Sequence, residues 1–182
     1  MRIIAGKLRG RRLISPKGDA VRPTTDKVKE AVFSMLIPYI TEDTVVMDVF
    51  AGSGNLGLEA ISRGVKRVFF SDADRTSLKL VKDNVNLCGV SDQAILLAGD
   101  FRSNIRRVKE PVDIFLMDPP YAAGFILPAL DTIEDAGNIA EGGIVVCEHS
   151  KKDEMPEEYR SFKKIKERTY GAISVSFYSQ EK

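Results

Sequence analysis

One stretch of the chain carries a strand, a glycine-rich turn and the start of a helix: Val45-Val46-Met47-Asp48-Val49-Phe50-Ala51-Gly52-Ser53-Gly54-Asn55-Leu56-Gly57. The apolar run at 45–49 is typical of a buried strand, and the spacing of apolar residues over 56–63 predicts a helix. The three glycines form a G-x-G-x-x-G motif, which lets a backbone turn tightly and approach a ligand closely. Because a strand precedes the motif and a helix follows it, we expect an α/β fold with a nucleotide-like cofactor at the loop.

The rest of the chain alternates between strand-like and helix-like segments. Further strands are predicted at 67–71, 94–98, 112–117 and 143–147, and further helices at 26–40 and 75–87. Asp74 is the expected N-cap of the helix at 75–87, and Gly89 ends it. Two strand-like runs, 162–169 and 172–179, predict a terminal hairpin. Together they predict a Rossmann-like fold, with a mostly parallel seven-stranded sheet and a C-terminal antiparallel hairpin.

Size and composition indicate a single globular unit. The chain has 182 residues, of which 43% are hydrophobic and 29% charged. We find neither a membrane-length apolar run nor a secretory signal, so we expect a soluble, cytoplasmic protein. With only Cys88, Cys147 and His149 as candidates, we expect neither a disulfide framework nor a metal site.

Charge is distributed unevenly along the chain. Residues 1–29 contain nine basic and two acidic side chains, whereas the remainder contains 18 basic and 24 acidic ones. Apolar residues and two glycines interrupt this basic arm, which predicts a short β-hairpin. We therefore divide the chain into a basic N-terminal extension, 1–22, and a Rossmann-like domain, 23–182. The charge alone fits either a nucleic-acid contact or a solvated tail.

Four carboxylates lie at or just beyond the ends of the first four predicted strands: Asp48, Asp72, Asp100 and Asp118. In an open α/β sheet such residues face one crevice, although each could equally be a helix cap or a turn residue. The glycine-rich loop contains no Lys or Arg to offset them, so a pyrophosphate would be repelled. A cationic cofactor without phosphate, S-adenosyl-L-methionine, fits this pattern.

Asp118-Pro119-Pro120-Tyr121 resembles the (Asn/Asp)-Pro-Pro-(Tyr/Phe) signature of methyltransferases that act on amino groups of nucleic-acid bases or of protein glutamine. The nitrogen of such a group is a poor nucleophile because its lone pair is delocalised. A carboxylate and a backbone carbonyl that accept both N–H hydrogens favour a pyramidal nitrogen. The prolines stiffen the turn, and the tyrosine can stack on a base.

The resemblance extends over almost the whole chain. The segments at 2–7, 10–13 and 22–26, the loop at 48–60, the Pro-Pro turn, Glu148-His149 and Tyr170-Gly171 are similar to the bacterial 16S rRNA guanine-N2 methyltransferase family, which modifies guanine 966. This resemblance implies direct, in-line methyl transfer from S-adenosyl-L-methionine to N2 of a guanine. It implies 16S rRNA or the assembled small ribosomal subunit as partner. We further expect a monomer that needs neither a membrane nor a metal.

The resemblance also implies site residues. Those for catalysis are Asp118, Pro119, Pro120 and Tyr121. Those for the cofactor are Asp48, Phe50, Ala51, Gly52, Ser53, Gly54, Asp72, Ala73, Asp100 and Phe101. Those for RNA are Lys7, Arg9, Arg11, Arg12, Arg22 and Thr24.

Three other functions are compatible with parts of the pattern. One is amino-group methylation of another base in DNA or RNA, or of protein glutamine. The second is an NAD-dependent oxidoreductase, against which the acidic cluster argues. The third is a non-catalytic RNA-binding module of the same fold, against which the intact motif at 118–121 argues.

Overall fold

The structure is a computed structural model that describes residues 1–18, 25–120 and 123–181. Its strands are β1 (Val45–Asp48), β2 (Arg67–Asp72), β3 (Ala94–Ala98), β4 (Val112–Met117), β5 (Ile139–Ser150), β6 (Glu158–Tyr159), β7 (Phe162–Tyr170) and β8 (Ile173–Gln180). Its α-helices are α1 (Thr25–Leu36), α2 (Asn55–Ser62), α3 (Arg75–Cys88), α4 (Phe101–Arg107) and α5 (Ile126–Ala136). Short 3-10 helices span Ile37–Tyr39 and Ser91–Gln93.

The strands form a single sheet within the described ranges, in the order β3-β2-β1-β4-β5-β8-β7-β6. The pairs among β1 to β5 are parallel, and β8, β7 and β6 continue the sheet antiparallel. The predicted fold class is therefore confirmed. The sheet has eight strands rather than seven because β6 pairs through two residues, which is too short to give a sequence pattern.

Local signals placed most of the elements well. The side chain of Asp74 accepts hydrogen bonds from the amides of Thr76 and Ser77, and Gly89 ends α3 with a left-handed φ of 67°. The cap and the terminator predicted for this helix are therefore confirmed. Helices α4 and α5 were not among the predicted elements. The first has only seven residues, which is too short for a clear helical period.

The core lies on both faces of the sheet. Val46 packs with residues of α1, α2 and α3, whereas its neighbour Met47 packs with residues of α4 and α5. This division follows from the alternation of side chains along a strand. Burial of both faces explains why β1 is a continuous apolar run that ends at its first polar residue, Asp48.

The N-terminal segment turns back on itself and pairs through one antiparallel bridge between Arg2 and Arg12. Beyond the bridge the Gly10 amide donates to the Ile3 carbonyl, and the next amides, of Ile4 and Ala5, donate to the carboxylate of Glu59 on α2. The basic extension is thus packed onto the helices. The proposed boundary after residue 22 falls outside the described residues and remains a prediction.

In the part of the chain that the structure describes, every helix is too short or too polar to span a bilayer.

Candidate active site

A cleft of about 1220 Å³ lies beyond the carboxyl ends of the parallel strands. The four predicted carboxylates, Asp48, Asp72, Asp100 and Asp118, all line it. They converge because parallel strands of one sheet end at the same edge. The sequence prediction that these acids share one crevice is therefore confirmed.

The glycine-rich loop connects β1 to α2 along one side of the cleft. Gly52 and Gly54 have positive φ angles of 57° and 86°, which explains the preference for glycine there. Gly57 is required for a different reason: a Cβ on it would lie 2.3 Å from Cε1 of Phe70 on β2. The third glycine of the motif thus permits close packing of the helix on the sheet.

Asp48 is the most buried of the acids in the cleft. One of its oxygens, Oδ2, accepts a hydrogen bond of 3.0 Å from the amide of Gly57. The other, Oδ1, is buried and makes no hydrogen bond with the described residues. Burial raises the pKa of Asp48 to about 7; the Gly57 amide opposes this shift, and the charges of Asp118 and Asp72 add to it.

Asp72 and Asp100 are held by backbone amides. Asp72 accepts from the amides of Gly52 and Asp74, each at 2.9 Å. Asp100 is the N-cap of α4 and accepts from the amide of Arg102. Both therefore act as turn or cap residues, the structural roles that the sequence allowed, and both also line the cleft.

The other predicted cofactor residues lie close by, with one exception. Phe50, Ala51, Gly52, Ser53, Ala73 and Phe101 line the cleft. Gly54 does not: it precedes α2, and a Cβ on it would lie 3.4 Å from side-chain atoms of Leu58 and Val81. Its place in the motif is conformational, since it reverses the chain into the helix.

An aromatic cluster borders the cleft. Two of its members, Phe50 and Phe101, were named in the sequence analysis. Phe125 stacks on Phe50 with ring planes 7° apart and centroids 5.9 Å apart, and it also contacts Phe101. Phe125 was missed because it lies in the segment 122–141, where the sequence has few diagnostic features. An aromatic residue shortly after the Pro-Pro turn was the available signal.

The Pro-Pro turn leaves β4 at the floor of the cleft. Asp118, Pro119 and Pro120 line the same cavity as the glycine-rich loop. Tyr121 lies outside the described residues, so its expected stacking role remains a prediction.

The predicted RNA-binding residues divide into separate groups. Arg12 lines the cleft, whereas Lys7 donates to Gln93 and Arg11 donates to the carbonyl oxygen of Leu87 at the end of α3. Arg9 is exposed on the turn between them. Arg22 and Thr24 lie outside the described residues. The structure thus brings one member of this set to the cleft.

A buried ion pair joins the N-terminal segment to the helices, and the sequence reasoning missed it. Lys29 Nζ lies 3.4 Å from Glu59 Oε2 and donates to the carbonyl oxygen of Arg2 and to Asn55 Oδ1. Burial lowers the pKa of Lys29, although Glu59 counteracts this shift. Lys29 was counted only as one of the nine basic residues of segment 1–29, but its spacing from Val32, Phe33 and Leu36 places it on the core face of α1.

Other nucleophiles and metal ligands do not add to this site. Both cysteines are buried, and burial raises the pKa of each thiol. Among the described residues, no group of three His, Cys, Asp or Glu side chains is placed to hold a metal ion. The groups that line the cleft are carboxylates, backbone groups, aromatic rings and the basic side chains of Arg2, Arg12 and Lys29.

Comparisons with known proteins agree with this geometry. YlbH of Bacillus subtilis is 34% identical over 183 residues, covering 99% of both chains. Ribosomal RNA small subunit methyltransferase D of Escherichia coli is 32% identical over 182 residues, covering 100% of this chain and 90% of that protein. The solved structure of the Escherichia coli protein yhhF matches with a TM-score of 0.88 and 30% identity, covering 100% of this chain and 98% of that one.

The family model described as conserved hypothetical protein 95 matches residues 1–179. The chain therefore belongs to this family, which is the family of ribosomal RNA small subunit methyltransferase D.

Proposed function

We propose that this protein is an S-adenosyl-L-methionine-dependent rRNA methyltransferase that methylates the exocyclic N2 of a guanine in 16S rRNA. The observation that carries the proposal is the meeting of Asp118-Pro119-Pro120 with the glycine-rich loop in one acidic cleft. Its relatives include the Escherichia coli small subunit methyltransferase D. Their names support ribosomal RNA as the substrate class.

The residues of the cleft suit a cationic cofactor. Asp48 Oδ1 is a buried acceptor without a hydrogen bond to the described residues, and an ammonium group would satisfy it. Asp72 would take the ribose hydroxyls, and Asp100 with Phe101 would contact the adenine. Ser53, Gly52 and Ala51 would lie along the methionine end of the cofactor, and Phe50 and Ala73 would lie beside its ribose and adenine rings. When bound, S-adenosyl-L-methionine supplies an electrophilic methyl group.

Asp118 would orient the guanine. Its carboxylate and a carbonyl oxygen of the Pro-Pro turn would accept the two N–H hydrogens of the amino group, which localises the nitrogen lone pair. Pro119 and Pro120 lack N–H donors that would compete for these acceptors, and Tyr121 would stack on the base. A paired guanine has its N2 blocked, so the base must be single-stranded or flipped out.

The basic N-terminal segment would hold the RNA backbone. Lys7, Arg9, Arg11, Arg12, Arg22 and Thr24 are the residues that we assign to this contact. Contacts of this kind position a nucleic acid more than they specify its sequence. The partner would be 16S rRNA or the assembled small subunit, bound by a monomer in the cytoplasm.

The decisive experiment is methyl transfer from labelled S-adenosyl-L-methionine to unmodified small ribosomal subunits, followed by nucleoside analysis. We expect label in N2-methylguanosine and its loss in Asp118→Ala. Asp43→Ala is the matched control, because Asp43 is an exposed carboxylate ahead of β1, at the opposite edge of the sheet.

Each of the other possible results would indicate a different function for this protein. Label in another nucleoside would retain the enzyme class and reject the guanine. Binding of the cofactor without labelled RNA would turn attention to protein or DNA substrates. Failure to bind the cofactor would favour a non-catalytic RNA-binding module.

A further inference from the structure

Arg2 and Arg12 form a cross-strand pair of like charges at the rim of the cleft. They are bridge partners, and both line the cavity that contains Asp118. The hydrogen bonds on either side of them run from the Ile3 amide to the Arg11 carbonyl and from the Leu13 amide to the Met1 carbonyl. This pattern makes them a non-hydrogen-bonded pair, the kind in which opposed side chains lie closest.

Such a pair is unfavourable by itself, because like charges directly opposite each other on a sheet destabilise it. Arg2 is partly compensated by Asp26, whose Oδ2 lies 3.3 Å from Arg2 Nε. Arg12 makes no ion pair with any residue in the described ranges. The arrangement therefore leaves excess positive charge at one point of the rim.

The backbone that carries this pair is held rigidly. The neighbouring side chains Ile3 and Leu13 are buried. Lys29 Nζ donates to the Arg2 carbonyl at 2.6 Å. Beyond Arg12, the buried Asn84 bonds to both backbone groups of Ile14 and also to the carbonyl oxygen of Ser53 in the glycine-rich loop. The backbones of the two arginines are thus held relative to the loop and cannot separate without breaking these contacts.

The charge pattern of the cleft tells where an anion can bind. Asp48, Asp72 and Asp118 lie deeper in it and repel phosphate. Arg2 and Arg12 line it with exposed side chains, as do Asp74 and Asp100. Arginine also suits a phosphate because its planar group donates two parallel hydrogen bonds to it. A nucleotide entering the cleft would meet the acids with its base and the arginines with its backbone.

We propose that Arg2 and Arg12 form a phosphate clamp for the RNA nucleotide whose base enters the cleft. This rests on the proposed function, and it separates Arg12 from the other basic residues of the segment. Arg12 and Arg2 are positioning residues that set the depth of the base, whereas Arg9 adds general affinity. A carboxylate at the methionine end of the cofactor has related chemistry, and the experiment distinguishes it from phosphate.

The test compares Arg12→Gln with Arg9→Gln in steady-state methylation of the small subunit. We expect Arg12→Gln to lower kcat about tenfold or more at saturating RNA, since misplacing a reacting group is costly. Arg9→Gln should raise KM and affect kcat much less than Arg12→Gln does. Arg12→Lys should restore RNA affinity without restoring kcat, because lysine lacks the planar fork. The affinity for S-adenosylhomocysteine should stay within about twofold of the wild type in all three variants.

Identical behaviour of Arg12→Gln and Arg9→Gln would overturn the clamp, and loss of S-adenosylhomocysteine affinity in Arg12→Gln would assign the pair to the cofactor instead. A melting experiment is independent of the reaction. Arg12→Gln should raise the melting temperature at low salt, and inorganic phosphate should stabilise the wild type more than this variant. Arg106→Gln, an exposed arginine in the last turn of α4, is the control for removal of one charge.

The two proposals can fail separately. If the wild type labels no guanine, the proposed function fails, and the melting comparison still decides whether the arginine pair binds an anion. If the wild type labels guanine N2 while Arg12→Gln keeps the wild-type kcat, the clamp alone is wrong.

Discussion

Lys29 Nζ and Glu59 Oε2 lie 3.4 Å apart in an ion pair whose side chains are 1% and 0% exposed. Glu59 also accepts from the amides of Ile4 and Ala5 and from Arg63 Nε. A single carboxylate therefore holds the N-terminal segment, α1 and α2 together beside the glycine-rich loop.

We expect Glu59→Gln to destabilise the fold by about 3–5 kcal/mol, because it leaves the Lys29 charge buried without its partner. The free energy of unfolding in urea measures this. Glu30→Gln is the matched control: Glu30 also pairs with Arg63, at 2.8 Å, but it is 49% exposed and should cost less than about 1 kcal/mol. Equal losses in the two variants would contradict the importance of burial.

Two glycines of the N-terminal segment share a conformation and differ in their surroundings. Gly6 and Gly10 have φ angles of 83° and 82°, but a Cβ on Gly6 would lie 1.9 Å from the Ser62 carbonyl oxygen, whereas one on Gly10 would meet nothing within 4 Å. We expect Gly10→Ala to cost only about 1–2 kcal/mol of backbone strain. Gly6→Ala should in addition release the segment from α2.

Hydrogen exchange of residues 1–14 checks this difference. Faster exchange and reduced RNA methylation in Gly6→Ala, with near-native behaviour in Gly10→Ala, are the expected results. Similar exchange in both variants would show that the close approach to α2 does not hold the segment.

The raised pKa of Asp48 gives the folding stability a particular pH dependence. The folded protein keeps a proton on this carboxyl up to about pH 7, whereas the unfolded chain releases it near its ordinary pKa of 3.8. Between these values the folded state binds more protons, so the free energy of unfolding should fall as pH rises, by up to about 1.4 kcal/mol per pH unit. Above about pH 7 this contribution should be constant.

Urea unfolding of Asp48→Asn from pH 5 to pH 8 tests this sign. The variant should lose that part of the slope and should be more stable than the wild type at pH 8. Asp83→Asn, which removes a carboxylate on α3 that is 42% exposed, should keep the slope. An unchanged slope in Asp48→Asn would show that this carboxyl is ionised throughout the range.

The exposed basic residues should govern the salt dependence of RNA binding. Replacing Arg9 and Arg11 by Gln should reduce the slope of log K against log salt by about 0.7 for each lost contact with a single strand. Affinity for S-adenosylhomocysteine should not change. Lys109→Gln, which replaces an exposed lysine in the loop between α4 and β4, should leave the slope as it is. Loss of cofactor affinity in the double variant would argue against a separate RNA-binding surface.

Much of the site was readable along the chain. The run from Val45 to Gly57 determines a strand, a turn and a helix because apolar periodicity and positive-φ glycines act over a few residues. Asp48, Asp72, Asp100 and Asp118 could be assigned to one crevice because every parallel strand carries its last residues to the same edge of the sheet. The Asp74 cap and the Gly89 terminator are likewise local.

Only the tertiary structure decided the rest. The sequence shows Lys29 as one more basic residue, and it is the packing of α1 on α2 that buries its charge against Glu59. The sequence likewise does not show that Arg2 and Arg12 are opposed at the cleft rim while Lys7 and Arg11 contact other residues. Charge and hydropathy are properties of single residues, whereas burial and pairing depend on neighbours that are distant along the chain.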